Sequence, residues 1–260
     1  MTRCAGIAPV GSRILVGGLN GNQGGLSVRL FANGTWDQSY GQAGFAYFEF
    51  GDFLFGSGNP RQLPIAFRVL PGGSALYACR GMVGKIDSEG RPVRSFGHDG
   101  LAEFGGGPTA VPMRLPAAIG VDGRGMIYIA GDNSHPVVAK LSRKGIPQHS
   151  FGKKGIRQLT SPGRRVKVSD LKLQSDGKLV LSGYGAPRLC VGACGSVYAY
   201  RLEPTGRLDR SFGRKGLFNR YFGGPAQATT LSLSSRGMVL GGTIQTSEGR
   251  NDTLLARIGR

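Results

Sequence analysis

Residues 200–216 read Tyr200-Arg201-Leu202-Glu203-Pro204-Thr205-Gly206-Arg207-Leu208-Asp209-Arg210-Ser211-Phe212-Gly213-Arg214-Lys215-Gly216. Their skeleton, Gly-x4-Ser-Phe/Tyr-Gly-x2-Gly, occurs three more times, around Ser39-Tyr40, Ser95-Phe96 and Ser150-Phe151. A basic and an aliphatic residue precede each first glycine at constant distance, as Arg29-Leu30, Lys85-Ile86, Lys140-Leu141 and Arg201-Leu202, and Arg257-Ile258 makes a fifth pair. The basic residue therefore recurs every 55 to 61 positions. A fixed period of this size signals a repeated supersecondary unit, and it governs the reading of everything else.

Ahead of each pair stands a short apolar run: Ile14–Gly18, Leu76–Cys79, Met126–Gly131, Lys178–Gly183 and Met238–Gly242. Runs this short, apolar and partly β-branched fit strands covered on both faces. Asp122-Gly123 and Asp176-Gly177, with Pro71-Gly72-Gly73 and Arg236-Gly237, supply the turns before them. The strand with the basic residue alternates: Val137, Ala139 and Leu141 oppose Val138 and Lys140, and Tyr198, Tyr200 and Leu202 oppose Ala199 and Arg201. Period-two alternation predicts a half-exposed strand. After the Ser-Phe-Gly turn a short last strand is expected at 45–50, 101–104, 156–159 and 217–222. Four turn-linked antiparallel strands per repeat are the make-up of a β-propeller blade, typically present four to eight times. The expected architecture is all-β, a β-propeller of about five four-stranded blades in one repeat domain spanning 1–260. Its units lie at about 4–50, 63–104, 115–159, 166–222 and 226–260, the last lacking its turn and final strand. A chain cut from a longer array is the favoured account of that incomplete unit. The motif aromatics should pack between neighbouring blades, with the flanking glycines at positive φ.

Composition agrees. The 260 residues include Gly 46 and Pro 14 with a hydrophobic fraction of 40%, too apolar for a disordered chain and without a collagen period. Lys+Arg 33 against Asp+Glu 15 gives a formal charge of +18. That excess attracts polyanions, although basic side chains decorating solvent-facing strand positions are the favoured account of it. No run approaches the ~18 apolar residues of a spanning helix, and the start lacks a signal peptide's apolar region.

With these motifs in place, the unit Asp176-Gly177-Lys178-Leu179-Val180-Leu181-Ser182-Gly183, followed by residues 200–216, resembles the bacterial delta-60 repeat. The resemblance covers nearly the whole chain. Its departures are Val93 and Gln148, where the pattern has the Asp found as Asp37 and Asp209. The third unit, Pro116–Gly131, also resembles an NHL-type repeat. Both resemblances imply a propeller. The first implies an exported or surface-associated protein and transfers no activity, so an extracellular or cell-surface location is expected.

Candidate chemistry is sparse. Cys190 and Cys194, four apart in a Gly-rich insertion, are a disulfide candidate. Cys4 and Cys79 fall on apolar strands and read as core residues. His98, His135 and His149 read as loop residues, and no metal-ligand set, nucleophile motif, phosphate loop or carboxylate pair stands out. No cofactor is implied. Basic residues at the rim turns, Lys153, Lys154, Arg214 and Lys215, with Arg164, Arg165 and Lys167, form a candidate anion-binding patch. Nucleic acid suits the charge, but no interleaved aromatics support it. The functional expectation is a non-catalytic binding or scaffold module for a protein or an acidic polymer. The alternative is a propeller hydrolase or lyase with a site at the channel mouth.

Overall fold

A computed structural model describes residues 3–19, 24–48, 66–104, 113, 115–161, 163–186, 195–235 and 237–259. Cys190 and Cys194 lie outside these residues. The chain is a five-blade β-propeller type built of antiparallel sheets. The first sheet contains β1 (Arg3–Val10), β2 (Arg13–Leu19), β3 (Gly25–Phe31) and β4 (Phe45–Phe48), in that order. The second follows with β5 (Ala66–Val69), β6 (Ala75–Cys79), β7 (Met82–Ile86) and β8 (Leu101–Glu103). The third holds β9 (Leu115–Val121), β10 (Ile127–Asp132), β11 (Pro136–Leu141) and β12 (Ile156–Gln158). The fourth holds β13 (Arg164–Leu173), β14 (Leu179–Ala186), β15 (Ser196–Leu202) and β16 (Leu217–Tyr221). The fifth has three strands: β17 (Ala226–Ser234), β18 (Gly237–Gln245) and β19 (Asn251–Ile258).

Two compact units divide the chain: residues 1–119 with 141–147, and residues 120–140 with 148–260. In the first, a core forms between the first two sheets from Leu15, Tyr40, Ala46, Phe48, Tyr77 and Met82. In the second, Val180, Val197, Phe212, Leu231 and Leu240 do the same between the fourth and fifth sheets. Within each unit, apolar faces of neighbouring blades are thus buried against each other, which is what blades of ~5-residue strands need, since one such sheet cannot bury its own faces.

The repeated motif is the joint. Tyr40, Phe96, Phe151 and Phe212 are almost fully buried. The glycine after the aromatic donates its N–H to the next repeat's turn, from Gly41 to Glu89 O (2.9 Å), Gly97 to Lys144 O (2.8 Å) and Gly152 to Thr205 O (3.3 Å). In each case the aromatic ring lies against the glycine that follows that carbonyl: a Cβ on Gly90 would meet Tyr40 at 2.9 Å, one on Gly145 Phe96 at 3.1 Å, one on Gly206 Phe151 at 3.0 Å. Gly90, Gly145 and Gly206 are therefore required by the preceding motif's aromatic ring as well as by their own positive φ, whereas Gly34 is required by positive φ alone. The second residue within Gly-x-x-Gly also sits at positive φ although it is not glycine: Ala43, Asp99, Lys154 and Lys215, between 50° and 56°.

Three expectations need correction. β15 is buried along its whole length and β11 nearly so, because sheet neighbours and adjoining blades cover both faces; the alternation does not mark an exposed face. Cys4 is exposed, since β1 is an edge strand, whereas Cys79 is buried and its thiol is pushed up to about 12 by that burial. The rim positions and the inner strand do not make one basic patch. Lys167 pairs with Tyr184, and Tyr184 with Val197, at the far end of the fourth sheet from the turn carrying Arg214 and Lys215.

Candidate functional site

Two places in the second unit gather charged groups. The first lies where β10 ends against β13. β13 is an edge strand, so part of its backbone hydrogen bonding must be met from outside the sheet, and bulges at Arg164–Lys167 and Val168–Asp170 disrupt its ladder further. Asp132 meets one of those needs: Val168 N donates to its Oδ2 at 3.1 Å. Lys167 Nζ stands 3.4 Å from Oδ1. The Asp132 side chain is 4% exposed and that of Lys167 43% exposed, so the carboxyl is buried and the ammonium leads from it to solvent. Burial raises the Asp132 pKa above the ordinary carboxylate value; the Val168 and Lys167 bonds pull the other way without cancelling it. Tyr198 braces the same strand, its hydroxyl donating to Lys167 O at 2.8 Å. Asp170 makes a comparable joint one blade on, accepting from Leu231 N at 2.9 Å, but its carboxylate is also held by Lys172 Nζ at 2.8 Å.

Asp132 differs from the acids of the repeat motif. Asp37 is held well below the usual range by Ser39, working against burial, and by Arg13 and Arg29. Asp209, also buried, is lowered by Ser211, Lys178 and Arg201. Those two carboxylates are fixed in the charged form, whereas Asp132 has one cation, Lys167, and burial draws it toward the neutral form.

The second place is a basin of about 630 Å3 lined by Arg157, Glu203, Arg207, Leu208, Arg210 and Lys215. Of the residues expected to bind anions, Lys215 belongs to it. Lys153, Lys154 and Arg214 are exposed at their turns and are not among its lining residues. Lys167 is engaged with Asp132, and β13 begins with Arg164 and Arg165. Sequence reading missed Arg157, Arg207 and Arg210, although the last two stand inside the motif itself. His98 forms an isolated bridge with Leu101, His135 and His149 lie in a bend and a turn, and among the described residues no group of three or more His, Cys, Asp or Glu could hold a metal ion. No described helix is long and apolar enough to cross a membrane.

No family model matches the chain, and no curated protein does. Similar solved structures include a protein of unknown function from Bacteroides caccae, 12% identical, with a TM-score of 0.52 over 98% of this chain and 78% of that one. Drosophila Plexin A, solved with Semaphorin 1b, is 10% identical with a TM-score of 0.54, over 98% of this chain and 52% of that one; the chain thus spans about half of the plexin. The endo-arabinase of Bacteroides thetaiotaomicron is 12% identical with a TM-score of 0.48, covering 98% and 93%. At these identities the likeness shows the fold alone. The expectation of a non-catalytic scaffold module is corrected accordingly: the solved structures similar to this chain include glycoside hydrolases, and the shared fold does not single out a binding module.

Proposed function

We propose that the chain is a propeller enzyme of the hydrolase or lyase class, with its site where β10 meets β13. The observation that carries the reading is Asp132, a buried carboxyl with a raised pKa, one half-exposed lysine beside it and the inner edge strand of the next blade against it. A carboxyl kept toward its neutral form serves as a general acid. As the C–O bond of the substrate breaks, the bonding pair stays on the leaving oxygen, the Asp132 proton transfers to it, and Lys167 steadies the carboxylate left behind. Hydrolysis and elimination share that step and differ only on the carbon side, where water adds or an adjacent proton is lost.

The test is turnover of a panel of polysaccharides and chromogenic glycosides, followed by new reducing ends and by absorbance of unsaturated products. Asp132→Asn should lose at least about 100-fold in kcat, the usual weight of a general acid. It should keep its Tm, because an amide oxygen still accepts from Val168 N and no buried charge remains to be desolvated. In the wild type, kcat should fall on the alkaline side as Asp132 ionises. Full activity in Asp132→Asn, or no turnover across the panel, sinks the reading.

A further inference from the structure

The basin at the joint of the third and fourth repeats takes its charge from an exchange visible within the chain. At the first joint, Ala46 packs on Gly90, its Cβ 2.6 Å from where a Cβ of Gly90 would stand; at the second, Ala102 does so on Gly145 at 2.8 Å. The equivalent residue of the third repeat is Arg157, so an arginine lines the basin where the other joints have alanine. The turn beneath contributes Arg207, Arg210 and Lys215. At the first joint the corresponding positions are Arg91, Arg94 and Asp99; at the second, Ile146, His149 and Lys154. Four cations come together only at the third.

The two acids nearby do not offset them. Asp209, between Leu208 and Arg210, turns inward to Arg201 (2.7 Å) and Lys178 (2.9 Å). Glu203 lines the basin but has Lys178 Nζ at 3.6 Å. The Nε–H of Arg157 is buried and finds no hydrogen-bond acceptor among the described residues. A buried donor without a partner is unfavourable, and several guanidinium forks around one space suit a compact oxyanion.

We infer that this basin binds a small molecule through a tetrahedral oxyanion, a phosphate or sulfate ester, with Arg157, Arg207, Arg210 and Lys215 as the cations around it. A volume of about 630 Å3 admits a group the size of a sugar ester. The site shares no residue with the Asp132–Lys167 pair and stands or falls separately.

The experiment titrates the intact chain with glucose 6-phosphate, glucose 6-sulfate and unmodified glucose at fixed ionic strength. Calorimetry and the Nε–Hε resonances of the arginines are the readouts. Either ester should bind where glucose does not. Glucose 6-phosphate should bind more tightly as pH rises through ~6, where its second ionisation falls, glucose 6-sulfate should show no such change, and the tighter of the two above that pH names the ester. Arg157→Ala, the residue the chain itself uses at the other two joints, should keep the fold and weaken binding by about tenfold, as for loss of one charge-assisted bond. Arg207→Gln with Arg210→Gln should weaken it further. Arg91→Gln with Arg94→Gln removes the same charge from the corresponding turn and should leave affinity within about twofold. No binding of either ester, or equal losses in the two double variants, overturns the inference.

Discussion

The four complete motifs share one backbone and divide into two kinds of side-chain chemistry. In every one, the residue three before the aromatic donates its N–H to the carbonyl of the strand's basic residue at 2.9 Å: Asp37 to Arg29, Val93 to Lys85, Gln148 to Lys140 and Asp209 to Arg201. The first and fourth repeats add an ion-pair knot. Asp37 takes Arg13 at 2.9 Å, Arg29 at 2.8 Å and the Ser39 hydroxyl at 2.5 Å. Asp209 takes Lys178 at 2.9 Å, Arg201 at 2.7 Å and the Ser211 hydroxyl at 2.6 Å. In the second and third repeats the acid is gone, and so is the second cation, since Ser74 and Met126 stand where Arg13 and Lys178 do. Lys140 instead lies over the rings of Tyr128 (5.1 Å) and Phe151 (5.8 Å), and desolvation lowers its pKa. Acid and second cation are present or absent together, as expected when either alone would leave a buried charge uncompensated. The turn is thus specified by glycine and the aromatic plug, and the knot is an addition to it.

If so, the aromatic should matter alike in both kinds of repeat. Phe151→Ala and Phe212→Ala should each lose about 3–5 kcal/mol in chemical denaturation. A loss confined to the fourth repeat would make the knot the principal element. The acid should matter only where it exists. Asp209→Asn leaves the buried Arg201 uncompensated and should cost about 3 kcal/mol, against under about 1 kcal/mol for Gln148→Ala. The pH dependence follows from the lowered pKa of Asp209. Its stabilisation is complete above the unfolded value of ~3.9 and is lost as pH falls below it toward the folded value; a melting series from pH 6 to pH 2 should show a shallower acid limb in Asp209→Asn. The smallest effect is constructive. Val93→Asp places a carboxylate two residues before Ser95 and beside Lys85, and should gain at most about 1 kcal/mol, unless a residue such as Arg replaces Ser74 as well.

Much of this was legible in the chain itself. Period, strand order, the buried aromatic and the glycine turns are local and repeated, so each copy testifies for the others. Burial of the strand carrying the basic residue was misjudged, because alternation records which side chains face each way and not whether another blade covers them. Cys4 was misjudged for the same reason: an apolar strand at a sheet edge is not inside merely because it is apolar.

The sequence by itself determined the repeating blade and the joint between repeats, since a turn of eleven residues carries its own φ angles, its plug and the glycine that receives the plug before it. Tertiary structure decided the chemistry. Asp132 meets Val168 from 36 positions away, across two sheets, and its proton affinity comes from burial that no local pattern records. Arg157 lines a basin with Arg207 and Arg210 only because folding brings it to a turn some fifty residues later, and its own repeat gives no sign of those arginines.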